Sequence, residues 1–148
     1  MSNPKLGVLP GMGTEQSDVD SGPFIKNTQG QVFLGLHIQK DSEDAGNVGK
    51  ETTLRKGVLL IRIETGADAG KYAPADHGDV PASNAIVQAA ILGEDVDMLG
   101  SDGTTVATRN VSAVIGGVID EDKLIIVDAG YRDGAVAALP LCHFIAAP

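Results

Sequence analysis

The sequence predicts a mainly β (α+β) protein, with a compact, small-sheet or barrel-like body, a few short helices and an extended N-terminal arm. Three observations predict it. Apolar residues recur at period two through 32–38, 57–65 and 106–114, the pattern of strands packed against a core. The apolar content of 43% is chiefly Val, Ile, Leu and Ala, with no Trp, two Tyr and three Phe, which suits a small and tightly packed sheet. Glycine and proline punctuate the first thirty residues so densely that neither period persists there.

In chain order, residues 1–30 carry Pro4, Pro10 and Pro23 among Gly, Ser, Asn, Thr and Asp. They read as an arm that orders on a partner, or as a plain tail. Leu6, Val8 and Leu9 are the apolar anchors such an arm offers. Residues 31–148 are expected to form a single β-rich domain. Its first strand is 32–38, with Leu34, Leu36 and Ile38 on one face. Residues 41–51 are polar and Gly-rich and read as a loop.

The run 57–65 is the clearest strand. Leu59, Ile61 and Ile63 share one face, while the other passes from Val58 and Leu60 to Arg62 and Glu64. Such a strand is buried on both faces at its start and on one at its end. A long loop is expected over 66–82. Residues 84–92 fit a helical face or a buried strand, and the Gly93 and acidic stop favours the strand. Asp102-Gly103 signals a hairpin turn. The alternating run that follows ends in Gly116-Gly117, read as a bulge or bend. Asp120 can cap a short helix led by Glu121 and Asp122. A second short helix is expected over 131–139, stopped by Pro140, and a last strand over 141–146.

A chain of 148 residues is long enough for one domain and buries about 68–70% of its unfolded surface, so it can fold without metals or disulfides. Cys142 is the one cysteine and allows no intrachain bridge. The net charge of −9 opposes binding to phosphate backbones and to anionic membranes. Neither a signal-peptide pattern nor an apolar run of ~18 residues occurs, so synthesis in a cytosol is expected, without membrane contact.

Signs of enzyme chemistry are weak. His37, His77 and His143 lack metal-ligand spacing, and adjacent Cys142 and His143 would point to opposite faces of a strand. Structural roles are expected for all four. The stretch from Gly66 through Gly70-Lys71-Tyr72 has three residues between its glycines where a P-loop needs four. It also has Tyr72 where Mg²⁺ binding needs Ser or Thr. Asp18-Val19-Asp20-Ser21-Gly22 opens like an EF-hand loop, but Gln29 stands where the closing Glu belongs. Glu94-Asp95-Val96-Asp97 reads as a solvated strand end. No catalytic residue, cofactor or metal is expected.

Two resemblances bear on function. Asp128-Ala129-Gly130-Tyr131-Arg132 is similar to the Asp-x-x-Tyr-Arg segment of the dUTPases, which are small trimeric β enzymes. In that family the Asp activates a water and the Tyr stacks on deoxyribose, which the resemblance implies for Asp128 and Tyr131. The family's Gly-Ser-Thr-Gly phosphate arm has no counterpart in the terminal His143-Phe144-Ile145-Ala146-Ala147-Pro148. A dUTPase-like enzyme is therefore the alternative expectation.

Between residues 54 and 126 the chain resembles the head decoration proteins of lambda-like tailed bacteriophages. The likeness is carried by Arg55-Lys56-Gly57-Val58-Leu59, Gly70-Lys71-Tyr72-Ala73-Pro74 and Ala90-Ile91-Leu92-Gly93-Glu94-Asp95-Val96-Asp97. Thr108-Arg109-Asn110-Val111 and Val118-Ile119-Asp120-Glu121-Asp122-Lys123-Leu124 complete it. Asn110 departs from the family's small residue, and Gly116-Gly117 has no clear counterpart. The resemblance implies a compact, mostly β homotrimer, not an enzyme. Such trimers cement the outer surface of the expanded capsid at three-fold or quasi-three-fold sites, gripping the major capsid protein with an N-terminal arm. The expected location is the virion surface, after synthesis in the host cytoplasm.

Overall fold

The computed structural model describes residues 25–101, 103, 104 and 108–145. The arm anchors Leu6, Val8 and Leu9 and the acidic run at 18–22 lie outside them. Eight strands are formed among the described residues: β1 (Ile25–Gln39), β2 (Thr53–Leu54), β3 (Leu59–Arg62), β4 (Tyr72–Pro74), β5 (Ala89–Leu92), β6 (Val96–Asp97), β7 (Thr108–Asp120) and β8 (Leu141–Ile145). One α-helix, α1 (Arg132–Ala137), and three single 3₁₀ turns are the other elements among the described residues.

The main sheet runs β1-β4-β3-β5-β7-β8, and β1 also pairs with β7. The first five strands therefore close into a small barrel. Its pairings are antiparallel except for the single β1–β4 bridge at Ile38 and Tyr72. β8 lies outside the closure, parallel to β7 over residues 116–120. β2 and β6 form a separate two-stranded ribbon. The expected barrel-like body with few and short helices is what forms.

Strand alternation explains two cores. Leu36 and Ile38 of β1, Leu60 of β3, Tyr72 of β4, Ala90 and Leu92 of β5, and Val111 and Ala113 of β7 form one cluster, one set from every barrel strand. Leu54, Val96 and Met98 join it from the β2–β6 ribbon and its flank. The alternate residues Leu59, Ile61, Ala89, Ile91 and Val114 form a second cluster with Ala135 and Leu139, and Tyr131, Cys142 and Phe144 pack against it. β3 and β5 are thus covered on both faces. The expected fading of burial along 57–65 is present: residues 58–61 are buried, then Arg62 and Glu64 are half-buried while Ile63 stays inside.

The bulge is where the two glycines stand. Val32 pairs with Gly116 and Phe33 with Val114, so one step on β1 spans two on β7. Gly117 has φ of 126°, which favours glycine. A Cβ on Gly116 would lie 3.0 Å from Val32 Cγ2 and 3.1 Å from Leu141 Cβ. After β7, Asp120 accepts from the Asp122 amide at the head of the 3₁₀ turn Glu121–Lys123. α1 ends before Pro140, as expected.

Several expectations are corrected. The 66–82 loop contains β4, whose three residues pair with β3 and β1. Only the end of 84–92 is strand, because Ser83–Ala85 is a 3₁₀ turn. The turn expected at 101–104 is present: Gly103 N donates to Gly100 O at 3.0 Å and Gly100 N to Thr104 O at 2.6 Å. The Arg109 side chain also ties β7 to the Asp97 and Leu99 carbonyls at 2.9 Å each. β1 begins at Ile25, pairing with Ile119, so the last six residues assigned to a 1–30 arm belong to the sheet.

Candidate protein-binding surface

Where β1, β7 and β8 meet, the bulge brings two apolar side chains from distant parts of the chain together. Val32 and Leu141 flank Gly116, which has no side chain to separate them. Leu141 also lines a shallow recess of about 250 Å³ with Val87, Ile115, Ala138 and Pro140. Val87 and Leu141 are 62% and 61% exposed and Val32 is 37% exposed. No lining residue is charged, although the chain carries −9. A charge-free, mostly apolar surface, with Gln88 its one polar side chain and branched side chains exposed, suits a protein contact.

Backbone chemistry points the same way. Among the described residues no strand pairs with the outer edge of β8. Leu141-Cys142-His143-Phe144-Ile145 carries neither Lys nor an acidic residue, the usual guards of an open edge. The first described residue lies close by: Ile25 and Phe144 both pair with Ile119, from opposite sides of β7. The 24 residues before Ile25 therefore join the barrel at the end of β7 that carries β8.

Most of the residues considered for chemistry are engaged in structure. His77 Nδ1 accepts from the Asp79 amide at 3.1 Å, and His37 and His143 are exposed on β1 and β8. Cys142 packs against the second core, and burial pushes its thiol up to about 11. The Gly66 to Tyr72 stretch is the connection from β3 to β4; Lys71 Nζ donates to Asp68 at 2.9 Å. That bond comes first in holding the Asp68 carboxyl below its ordinary value, with a second from Gln39 Nε2 at 3.2 Å. Asp95 accepts from Lys56 N at 2.8 Å and Asp97 from Leu99 N at 2.9 Å. Asp128 accepts from Gly130 N at 3.0 Å and heads the 3₁₀ turn Ala129–Tyr131. Tyr131 packs on the second core, and Arg132 pairs with Glu121 and with Asp133. Among the described residues no three His, Cys, Asp or Glu side chains are grouped to hold a metal, and no helix is long and apolar enough to cross a membrane.

The surface at Val32, Val87 and Leu141 was not visible in the sequence. Its residues stand in three separate segments: the pairing of β1 and β8 about β7 brings Val32 to Leu141, and Leu141 shares its recess with Val87. Comparison with protein-family models, with curated proteins and with solved structures finds no match.

Proposed function

We propose that the chain is a head decoration protein of a tailed bacteriophage, a homotrimer that cements the outer surface of the expanded capsid by gripping the major capsid protein. The observation that carries the reading is the charge-free apolar surface beside the open edge of β8, at the end of the barrel where the N-terminal segment joins. The motif resemblance over residues 54–126 and the small closed barrel agree with it. Cementing follows from differential binding. A ligand that spans several subunits of the expanded shell, and fits the unexpanded one poorly, stabilises expansion by the difference in affinity.

An arm that orders on the shell gives up about 1–2 kcal/mol per residue in backbone entropy alone, so one arm holds weakly. Three arms on one trimer raise avidity by ~10²–10⁴. The test is a chain lacking residues 1–24, a boundary chosen because Ile25 already pairs with β7. It is expected to stay folded and trimeric and to lose binding to undecorated expanded heads. Unchanged binding overturns the arm's role. Incubation with dUTP is expected to release no pyrophosphate; robust turnover refutes a purely structural role.

A further inference from the structure

A homotrimer about a three-fold axis is closed by one kind of contact, repeated from copy to copy. Each copy offers one surface to the copy before it and a different surface to the copy after it. A chain that closes such a ring therefore carries two unlike surfaces that fit each other. The charge-free recess at Leu141 is an apolar concavity of this chain. Its counterpart must be an exposed apolar projection that is also clear of charge, because each copy carries −9 and association sets like charge against like.

Phe33 answers that description. It is 53% exposed, belongs to neither core, and is the one aromatic among the exposed large hydrophobic residues described. Aromatic side chains bury about 150–250 Å² each and are the usual anchors of interfaces. Pairing with β7 sets what surrounds it. Phe33 stands opposite Val114, Gly35 opposite Ser112 and His37 opposite Asn110, and alternate residues along a strand share one face. Gly35, His37, Asn110 and Ser112 are all exposed, and none of them is Asp, Glu, Lys or Arg. A Cβ on Gly35 would meet nothing within 4 Å, so open space lies on that side of the ring. Position fits as well. Phe33 follows Val32, and Val32 lies against the same Gly116 as Leu141 at the recess. Projection and recess are neighbours on one copy, and a third of a turn about a nearby axis brings the projection of one copy to the recess of the next.

We infer that Phe33 of each copy seats in the recess of Val87, Ile115, Ala138, Pro140 and Leu141 on the next copy, closing the homotrimer head to tail. The inference rests on the homotrimer of the decoration reading and names the two surfaces that build it; the open edge of β8 and the N-terminal segment are left to the shell. Sedimentation of the full chain at physiological ionic strength compares wild type with Phe33→Ala, Phe33→Asp, Leu141→Asp and an equimolar mixture of the two Asp variants. Each Asp variant alone is expected to run as a monomer with unchanged circular dichroism. Phe33→Ala, which adds no charge, is expected to need about tenfold more protein to trimerise. The mixture separates this contact from any other. Leu141→Asp keeps an intact Phe33 and Phe33→Asp keeps an intact recess, so one sound contact forms between them and no ring can close. A species of two chains, absent from either variant alone, is expected. If the wild type is a trimer but the Phe33 variants trimerise as tightly, or if the mixture stays monomeric, this inference falls and the decoration reading stands. If the wild type is not a trimer, the inference falls with the homotrimer, and binding of that chain to undecorated expanded heads decides the rest of the reading.

Discussion

At position 134 two rules of helix stability pull in opposite directions. Alanine within a helix is worth about 1 kcal/mol more than glycine. Yet a Cβ there would run into the Ser83 carbonyl oxygen and stand 2.8 Å from its hydroxyl. The obstacle is backbone of the Ser83–Ala85 turn, which cannot swing aside as a side-chain tip can. Steric cost wins, and Gly134→Ala is expected to destabilise by about 1–3 kcal/mol, read from a urea midpoint. A gain in stability would mean that the turn yields freely.

The Asp44–Arg55 pair makes a second prediction at this scale. Arg55→Met leaves a buried carboxylate without its guanidinium partner and is expected to cost about 2–3 kcal/mol at neutral pH. The pH dependence has a definite sign. The native carboxyl titrates below its ordinary value, so its contribution is present above the unfolded pKa of ~3.9 and is lost as pH falls through the lowered value. Melting temperatures between pH 6 and 2 should therefore fall less steeply for Asp44→Asn than for wild type. Parallel curves would show that another carboxylate governs the acid limb.

At the scale of elements, what the sequence made legible was local. The run 57–65 announces β3 through alternation, Gly116-Gly117 announces the bulge, and Asp120 and Pro140 mark a turn's start and a helix's end. β4 was not legible, because nothing in Tyr72-Ala73-Pro74 specifies a strand. Its three residues are extended because Arg62, Ile61 and Leu60 on one side and Ile38 on the other hold them. The start of β1 was hidden in the same way: residues 25–31, polar or Gly apart from Ile25, lack a pattern of their own and are recruited by β7, with register shifts between Ile25 and Asn27, between Asn27 and Val32, and again before Phe33. Two truncations separate recruitment from mere proximity. Removal of residues 1–24 should leave the melting temperature unchanged, whereas removal of 1–31 also strips the Ile25–Ile119 and Asn27–Val118 pairings and should lower it. Equal melting temperatures would show that the extension beyond the barrel contributes nothing to stability.

For the whole molecule, charge decides where copies can meet. Each chain carries −9, so association sets like charge against like, and the cost is smallest where the touching surface is neutral. The recess of Val87, Ile115, Pro140 and Leu141 meets that condition. Screening then controls the proposed trimer. At 0.01 M salt the Debye length is about 30 Å and repulsion reaches across a subunit, whereas at 0.15 M it is about 8 Å. Sedimentation should show the trimer weakened at low salt and restored as salt rises. Leu141→Asp places a charge on the neutral face and is expected to dissociate it at every salt concentration, with the barrel still folded because Leu141 lies outside both cores. A trimer that weakens as salt rises would mean that ion pairs hold it, and the neutral face would then be free for the shell alone.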